Sequence, residues 1–322
     1  MKTILIANNY KDYALELLKQ ECPDCFKLIF LKEQSQECLE EQIKKADYLL
    51  AGGRLKITSA ALCNARNLKM IQRTGVGLDS IDLKALKELN IPLYVNKGIN
   101  AQSVAEHALL LILASLRRLS IIAGNTRKGL WSRHEQALRT YELKGKTVGM
   151  IGMGSIARTL AALLRPFGVK ILYSDVVRAD ISLEKELCME FSDICKVLSD
   201  SDIITLHCPL TLKTKWLINK ETICNIKDGA ILVNTARGGL INTKDLSDAL
   251  TNGKLSFAAL DVHEEEPFPE SYPLKKLDNV ILTPHIAGIT ADSFGSMMRD
   301  AFRNISLFDQ GRLEDIEQFR HI

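Results

Sequence analysis

Short apolar runs rich in Val, Ile and Leu alternate with amphipathic stretches over almost the whole chain. In the first third these runs predict five strands, at Thr3–Ala7, Lys27–Leu31, Asp47–Ala51, Leu68–Gln72 and Pro92–Val95. Amphipathic segments between them, such as 12–20 and 81–89, predict helices. Strands that alternate with helices form β-α-β units, so we predict a parallel sheet covered on both faces.

A second series of β-α-β units is predicted after residue 146. A long helix over 101–118 and a polar segment over 120–143 come first, and the polar segment has no clear period, so we predict an extended excursion. The second series has strands at Thr147–Ile151, Lys170–Ser174, Ile203–Leu206, Ala230–Asn234, Phe257–Leu260 and Val280–Leu282, and a last helix begins near Thr290. The sequence therefore predicts an α/β protein of two doubly wound parallel-sheet domains with a cleft between them, which suits 322 residues.

Composition and charge exclude several classes of function. The chain is 46% hydrophobic and 25% charged, and its net charge is +3 with both signs mixed. No basic block indicates a nucleic acid or a membrane surface, and the longest apolar run, Ala108–Leu116, is too short to span a bilayer.

Eight scattered cysteines predict reduced thiols in the cytoplasm. Cys22 and Cys25 form a C-x-x-C, but no second pair completes a zinc site, so we predict no metal there.

A glycine-rich turn is the strongest local motif. An apolar strand leads into Gly152-x-Gly154-x-x-Ala157, and an amphipathic helix follows at once. The first glycine permits the tight turn, and the second lets backbone N–H groups approach a pyrophosphate. Ser155 and Ile156 open the helix, whose N-terminus favours the negative charge of phosphates. We predict that these residues bind a dinucleotide.

An acidic residue closes the second strand of this unit. Asp175 lies 21 residues after Gly154, where a carboxylate accepts hydrogen bonds from the adenosine ribose hydroxyls. Its charge repels a 2′-phosphate, so NAD is favoured over NADP. Arg178 nearby leaves NADP open as the alternative.

Polar side chains collect just past the strands of the second half. In a doubly wound sheet, ligands bind outside the carboxyl ends of the strands. The residues at these positions are His207-Cys208-Pro209, Thr235-Ala236-Arg237, Asp261 with Glu266, and Pro284-His285. A sheet that needs only stability does not require Arg, Glu and His there, so this edge is the predicted site.

Three of these residues form a chemical set. Hydride transfer to a 2-keto acid needs a proton donor for the carbonyl oxygen, and His285 suits this role near neutral pH. Glu266 would fix the imidazole tautomer, and Arg237 would grip the substrate carboxylate. Each residue alone is more often structural, so the prediction rests on the combination behind a dinucleotide turn.

These motifs resemble the D-isomer-specific 2-hydroxyacid dehydrogenases, and the resemblance covers nearly the whole chain. It rests on VNTARGGLI (233–241), DVHEEEP (261–267), LTPHIAG (282–288), HCPLT (207–211) and RTGVGLDSID (73–82). The resemblance implies catalytic roles for Arg237, Glu266 and His285. The Glu directly before Pro is the functional one in this family, which selects Glu266 over its two acidic neighbours.

The resemblance also implies the remaining binding residues. Asp261 would lie near the nicotinamide carboxamide. The loop 207–211 would lie beside the cofactor, with contributions from His207, Cys208 and Pro209. The backbone N–H groups around Val76 and Gly77 would hold the substrate carboxylate.

The resemblance further implies a domain division and an assembly. Residues 1–98 would form a flavodoxin-like substrate domain, 99–285 a Rossmann NAD-binding domain, and 286–322 a helix that returns to the substrate domain. Members of the family are usually dimers that pair through the NAD domain by the long helix and the excursion, so we expect a homodimer. Packing within one chain would explain the apolar face of the long helix equally well.

The substrate is less sharply predicted. Arg73, Arg133 and Asn100 resemble positions in phosphoglycerate dehydrogenases, and two guanidinium groups would suit a phosphate. Another arginine of those enzymes is replaced here by Gly52-Gly53, and Arg54 is shifted. The best expectation is 3-phosphoglycerate and phosphohydroxypyruvate. Hydroxypyruvate or glyoxylate is the main alternative, D-lactate-like acids follow, and an NAD-sensing corepressor is the remote one.

Overall fold

The structure, a computed structural model, describes residues 1–53 and 55–322, so Arg54 lies outside the described residues. The chain divides into two compact units. Unit 1 comprises Met1–Asn100 and Ile289–Ile322, and unit 2 comprises Ala101–Gly288. Both units are α/β, so the predicted fold class is confirmed.

Unit 1 is built on a sheet of five parallel strands. The strands are β1 Lys2–Ile6, β2 Phe26–Phe30, β3 Tyr48–Ala51, β4 Met70–Arg73 and β5 Leu93–Val95, and the first helices are α1 Asp12–Glu21, α2 Gln36–Gln42, α3 Ser59–Cys63 and α4 Leu83–Glu88. The strand order is β2-β1-β3-β4-β5, with β1 between β2 and β3. All four residues of β3 are buried, as expected for a parallel sheet with both faces covered.

Unit 2 is built on a sheet of seven parallel strands. The strands are β6 Thr147–Ile151, β7 Lys170–Ser174, β8 Met189–Phe191, β9 Ile203–Leu206, β10 Ala230–Asn234, β11 Leu255–Leu260 and β12 Val280–Leu282. Its helices are α5 Ala101–Leu116, α6 Leu119–Arg127, α7 Arg133–Ala137, α8 Ser155–Leu164, α9 Ile181–Leu187, α10 Ile194–Asp200, α11 Lys220–Cys224 and α12 Thr243–Thr251. The order β12-β11-β10-β9-β6-β7-β8 runs outward from β6 in both directions, which is the doubly wound arrangement.

The chain returns to unit 1 through α13, Ala291–Asp309. Thr290 caps this helix, and its side chain and that of Ser293 form a reciprocal capping box. Short 3-10 turns complete the structure at Ile43–Lys45, Arg165–Phe167, Gly238–Leu240, Pro273–Lys276 and Leu313–Phe319. Among the described helices none alone is long and apolar enough to cross a membrane, and α5 with α6 would meet the requirement only jointly, across a 65° bend.

The excursion differs from its prediction. Segment 120–143 was expected to be extended, yet it contains α6 and α7. Arg118 takes a left-handed conformation with φ of +49°, which turns the chain directly into α6. No residue of α6 is fully buried, and Ile121 alone of its apolar residues packs against the core of unit 2. A helix with so narrow a buried face shows no clear period in sequence. The three-residue edge strand β8 was also missed.

Candidate active site

The candidate residues of unit 2 follow adjacent parallel strands. Strands β6, β9, β10, β11 and β12 are neighbours in the sheet in this order. Their carboxyl ends therefore share one edge, and the predicted residues follow those ends. The structure places the glycine-rich turn after β6 at this edge, and it places Glu266 and His285 in contact.

The glycine-rich turn uses its two glycines differently. Gly152 has φ of +97°, and a Cβ there would lie 2.7 Å from the backbone of both His207 and Cys208. Gly154 has φ of −76° and is the N-cap of α8. A Cβ on Gly154 would meet nothing within 4 Å, so the backbone at the start of α8 borders open space. The first glycine permits the turn and the second leaves room for a ligand.

Asp175 is joined to this turn. Its Oδ2 accepts a hydrogen bond from the backbone N–H of Met153 at 2.6 Å, and its Oδ1 accepts from Val177 at 3.1 Å. The carboxylate therefore lies beside the turn at the end of β7. The guanidinium group of Arg178 is paired with Glu184, to which it donates two hydrogen bonds of 2.8 Å. These bonds, with one from Tyr173, lower the pKa of Glu184 to about 2.

These features fit a dinucleotide. Open space at the start of a ten-residue helix suits a pyrophosphate, and the adjacent carboxylate suits ribose hydroxyls. Thr235, which follows β10, is buried, and its Oγ1 has no hydrogen-bond partner in the described part of the chain. A buried hydroxyl without a partner is uncommon in proteins and suits a bound polar group.

Glu266 and His285 form the central pair. His285 Nδ1 lies 2.8 Å from Glu266 Oε2, and the other carboxylate oxygen accepts from the backbone N–H of His263 at 2.9 Å. The side chain of His285 is 42% exposed, whereas that of Glu266 is 16% exposed. One ring nitrogen is thus held by a carboxylate while the ring remains accessible. This is the arrangement of an acid–base histidine with an orienting partner.

The other histidines at this edge are less suited to that role. His207 contacts the hydroxyl of Thr205 at 3.0 Å, and desolvation lowers the pKa of His207 to about 4, so it is neutral near pH 7. His263 is buried, with one ring nitrogen 3.2 Å from the Tyr272 hydroxyl and the other 3.0 Å from the carbonyl of Thr283. Its contacts indicate a structural role.

The loop after β9 packs against the glycine-rich turn. His207 donates its backbone N–H to the carbonyl of Ile151 at 2.7 Å. Burial raises the pKa of the Cys208 thiol to about 11, so it stays protonated and unreactive near neutral pH. Pro209 is exposed, and its carbonyl accepts from the Thr214 hydroxyl at 2.7 Å.

Arg237 lies in a turn that an asparagine holds. The Asn234 side chain, fully buried at the end of β10, donates to the Arg237 carbonyl at 2.8 Å and accepts from the Ala236 N–H at 3.0 Å. Arg237 is partly buried, and its Nη1 donates to the Ala236 carbonyl at 2.7 Å. Asn234 was not among the site residues predicted from the sequence. The signal was its place at a strand end before a turn, where asparagine often bonds the backbone.

Asp261 has a position that sequence analysis did not foresee. It is fully buried, and its carboxylate accepts backbone N–H groups from Ile286 and Ala287 at 3.0 and 2.9 Å. The Thr283 hydroxyl donates to the same carboxylate at 2.5 Å. Asp261 thus holds the turn that carries His285. Its predicted contact with the nicotinamide stays a prediction.

The remaining candidates are divided between the units. In unit 1, Arg73 donates from Nε to the carbonyl of Gly77 at 2.9 Å and from Nη2 to that of Gly53 at 3.1 Å. Val76, in the same loop, is 46% exposed. Asn100 is half-buried and directly precedes α5, and Arg133 is exposed at the first position of α7 in unit 2. The structure does not bring Arg133 into contact with the Glu266–His285 pair.

The fold and the site fit a dinucleotide-dependent enzyme, and sequence comparison gives the family. Residues 109–287 match the family described as D-isomer specific 2-hydroxyacid dehydrogenase, NAD binding domain. The chain belongs to this family, as its motifs predicted, and its cofactor is NAD.

Similar proteins are named for several different substrates. The chain is 40% identical to a hydroxypyruvate reductase of Thermotoga maritima, over 78% of this chain and 81% of that protein. It is also 40% identical to a D-3-phosphoglycerate dehydrogenase of Methanocaldococcus jannaschii, over 80% of this chain and 49% of that protein. Among solved structures, D-lactate dehydrogenase of Aquifex aeolicus, complexed with NAD and lactic acid, has a TM-score of 0.86 at 31% identity and covers 99% of this chain and 98% of its own.

Proposed function

We propose that His285, Glu266 and Arg237 carry out hydride transfer at C2 of a small, unphosphorylated 2-hydroxy acid, with hydroxypyruvate or glyoxylate as the keto acid. The observation that carries the proposal is the 2.8 Å contact between Glu266 and an exposed His285 ring. NAD bound at the edge of the unit 2 sheet would supply the hydride acceptor for oxidation at C2, and NADH would supply the hydride donor for reduction.

The acid–base chemistry follows from the geometry of the pair. When Nδ1–H of His285 donates to Glu266, the neutral ring presents an unprotonated Nε2. Nε2 then takes the proton of the substrate hydroxyl in oxidation. In reduction the protonated ring gives it to the keto oxygen, and Glu266 stabilises the resulting imidazolium.

Arg237 is the proposed anchor of the substrate carboxylate. A guanidinium group binds a carboxylate through two parallel hydrogen bonds. Asn234 fixes the backbone on both sides of this residue. The backbone N–H groups of Val76 and Gly77 are proposed as further carboxylate donors.

The cofactor residues are proposed from the same edge of the unit 2 sheet. Gly152, Gly154, Ser155 and Ile156 would hold the pyrophosphate, and Asp175 would bind the adenosine ribose. The other residues proposed to bind the cofactor are His207, Cys208, Pro209, Thr235, Ala236 and Asp261. The two hydrogen bonds between Arg178 and Glu184 support NAD over NADP, since this arginine is already paired.

The substrate proposal depends on Arg73. Two of its donor groups bond to backbone carbonyls in unit 1, which supports a role in holding the 73–77 loop. A guanidinium used in this way is a weaker candidate for a phosphate ligand. The 3-phosphoglycerate and phosphohydroxypyruvate pair remains the second candidate, favoured by Arg133, which is exposed, and by Asn100, which directly precedes α5.

Domain roles and assembly are also proposals. Residues 1–98 and 286–322 would bind substrate, and 99–285 would bind NAD. Exposed apolar side chains in the segment 110–141 support a homodimer through unit 2, since Trp131 is 84% and Leu138 89% exposed. The eight free cysteines support a reducing, cytoplasmic location.

The proposal is tested by NADH oxidation with four keto acids at matched concentrations: hydroxypyruvate, glyoxylate, pyruvate and phosphohydroxypyruvate. We expect hydroxypyruvate or glyoxylate to give the highest kcat/KM, and His285→Ala to lower turnover by roughly 100-fold or more. Preference for phosphohydroxypyruvate that is lost in Arg133→Ala would support the second candidate. Absence of turnover with NADH still bound would favour a sensor over an enzyme.

A further inference from the structure

His285 lies in a turn with an unusual backbone conformation. Its φ is +59°, in the left-handed region that disfavours residues other than glycine. A residue stays in such a conformation when the surrounding structure over-determines it. The contacts that hold this turn therefore also place the imidazole ring beside Glu266.

Asp261 supplies most of this support. The backbone N–H of His285 donates to its carbonyl at 2.7 Å, and the next two N–H groups, of Ile286 and Ala287, donate to its carboxylate. Three consecutive backbone N–H groups thus donate to one residue. Because Asp261 is fully buried, its side-chain oxygens need such hydrogen-bond donors.

Thr283 completes this set of donors, and His107 contacts Thr283. The Thr283 hydroxyl donates to Asp261 Oδ1 at 2.5 Å, and His107 Nε2 lies 3.3 Å from the hydroxyl oxygen. A hydroxyl has one proton to donate and can rotate it. When His107 donates from Nε2 to this oxygen, the hydroxyl proton remains directed to Asp261. His107 Nε2 is also 3.7 Å from Asp261 Oδ1.

Thr283 is also connected to Glu266, the other member of the Glu266–His285 pair. Its carbonyl is 3.0 Å from His263 Nε2, and the His263 backbone N–H donates to Glu266 Oε1 at 2.9 Å. The segment that carries His285 and the loop that carries Glu266 thus share Thr283. A shift of Thr283 changes the position of both partners.

We propose that His107, on α5, is a positioning residue that acts through Thr283 and Asp261 on the turn that carries His285. The inference rests on the proposed acid–base role of His285. His107 keeps the Thr283 hydroxyl donating to Asp261, and so keeps the catalytic turn in its left-handed conformation. Its loss would lower the rate of the chemical step more than it weakens the binding of cofactor or substrate.

The test compares two pairs of variants in the full-length protein. His107→Phe removes the ring nitrogen, and His107→Gln returns an N–H donor at a similar position. Thr283→Val removes the hydroxyl, and Thr283→Ser retains it. His321→Phe is the matched control, since His321 is exposed at the C-terminal end of unit 1. For each protein, kcat and KM for the preferred keto acid and Kd for NADH are measured.

We expect His107→Phe and Thr283→Val each to lower kcat by about tenfold, the effect of one hydrogen bond lost at a positioned group. KM and Kd should stay within about twofold, and His107→Gln and Thr283→Ser should restore most of kcat. The double variant should be no slower than the slower single variant, because both changes interrupt one chain of contacts.

Three outcomes would overturn the inference: unchanged kcat in His107→Phe, no restoration by His107→Gln, or losses that multiply in the double variant. If His107→Phe does not fold, the two Thr283 variants still test the inference, since equal kcat in both rejects the hydroxyl through which His107 would act. His285→Ala is measured in parallel. Undiminished turnover in that variant rejects the proposed function, whereas a loss there with normal His107→Phe rejects this inference alone.

Discussion

The two glycines of the turn after β6 should respond differently to the same substitution. Alanine at Gly152 would force a Cβ onto a residue with φ of +97° and to within 2.7 Å of the backbone of His207 and Cys208. Alanine at Gly154 meets nothing within 4 Å, and φ of −76° suits any residue. We therefore expect Gly152→Ala to destabilise the fold and Gly154→Ala to weaken cofactor binding.

The magnitudes follow from the two environments. Left-handed strain of about 1–2 kcal/mol and backbone crowding of roughly 1–3 kcal/mol should destabilise Gly152→Ala by roughly 3 kcal/mol in total. At about 3 °C per kcal/mol for a domain of this size, its Tm falls by roughly 10 °C. Gly154→Ala should keep its Tm but place a methyl group where the pyrophosphate approaches, so Kd for NADH rises at least tenfold, or about 1.4 kcal/mol.

The assay is thermal unfolding without cofactor, followed by fluorescence titration with NADH. Gly124→Ala is the matched control, because this helical glycine also has open space around its Cβ position and lies outside the turn. It should leave Kd for NADH unchanged and should not lower Tm, because alanine favours a helix more than glycine does. If Gly154→Ala binds NADH like the unmodified protein, or unfolds as early as Gly152→Ala, the assignment of the two glycines is wrong.

Three further outcomes are expected. Gly238→Ala should lower kcat strongly, since its Cβ would lie 1.9 Å from the backbone of His263; normal kinetics would contradict this packing. Asp175→Ala should raise the kcat/KM ratio of NADPH to NADH by about tenfold or more, measured by initial rates. The folded-state pKa of His207 is lowered to about 4, so its contribution to stability is lost as pH falls from about 6.5 towards 4. The free energy of unfolding should therefore fall less in His207→Gln than in the unmodified protein between about pH 6.5 and pH 4. The difference should reach up to about 3 kcal/mol, measured by urea titration at each pH.

Several elements were predictable because their signals are local. The strands β6, β7, β9, β10 and β12 have the bounds that their apolar runs predicted. Buried parallel strands need continuous apolar residues, and the turns between them need glycine or polar residues. Both can therefore be recognised from short segments of sequence. The edge strand β8 and the helices α6 and α7 were missed because their short or narrow buried faces leave little pattern.

The features of the candidate site also divide into those set by local sequence and those set by tertiary contacts. The sequence by itself determined the family, the glycine-rich turn and the choice of Glu266 and His285, since these depend on residue types at fixed spacing. Only the tertiary structure decided that Arg178 pairs with Glu184, that Arg73 bonds to backbone carbonyls, and that Asp261 holds the turn of His285. Such partners lie far apart in the sequence or depend on side-chain direction. Hydrogen bonding between them is set by where the folded backbone places each group, and no local pattern records that placement.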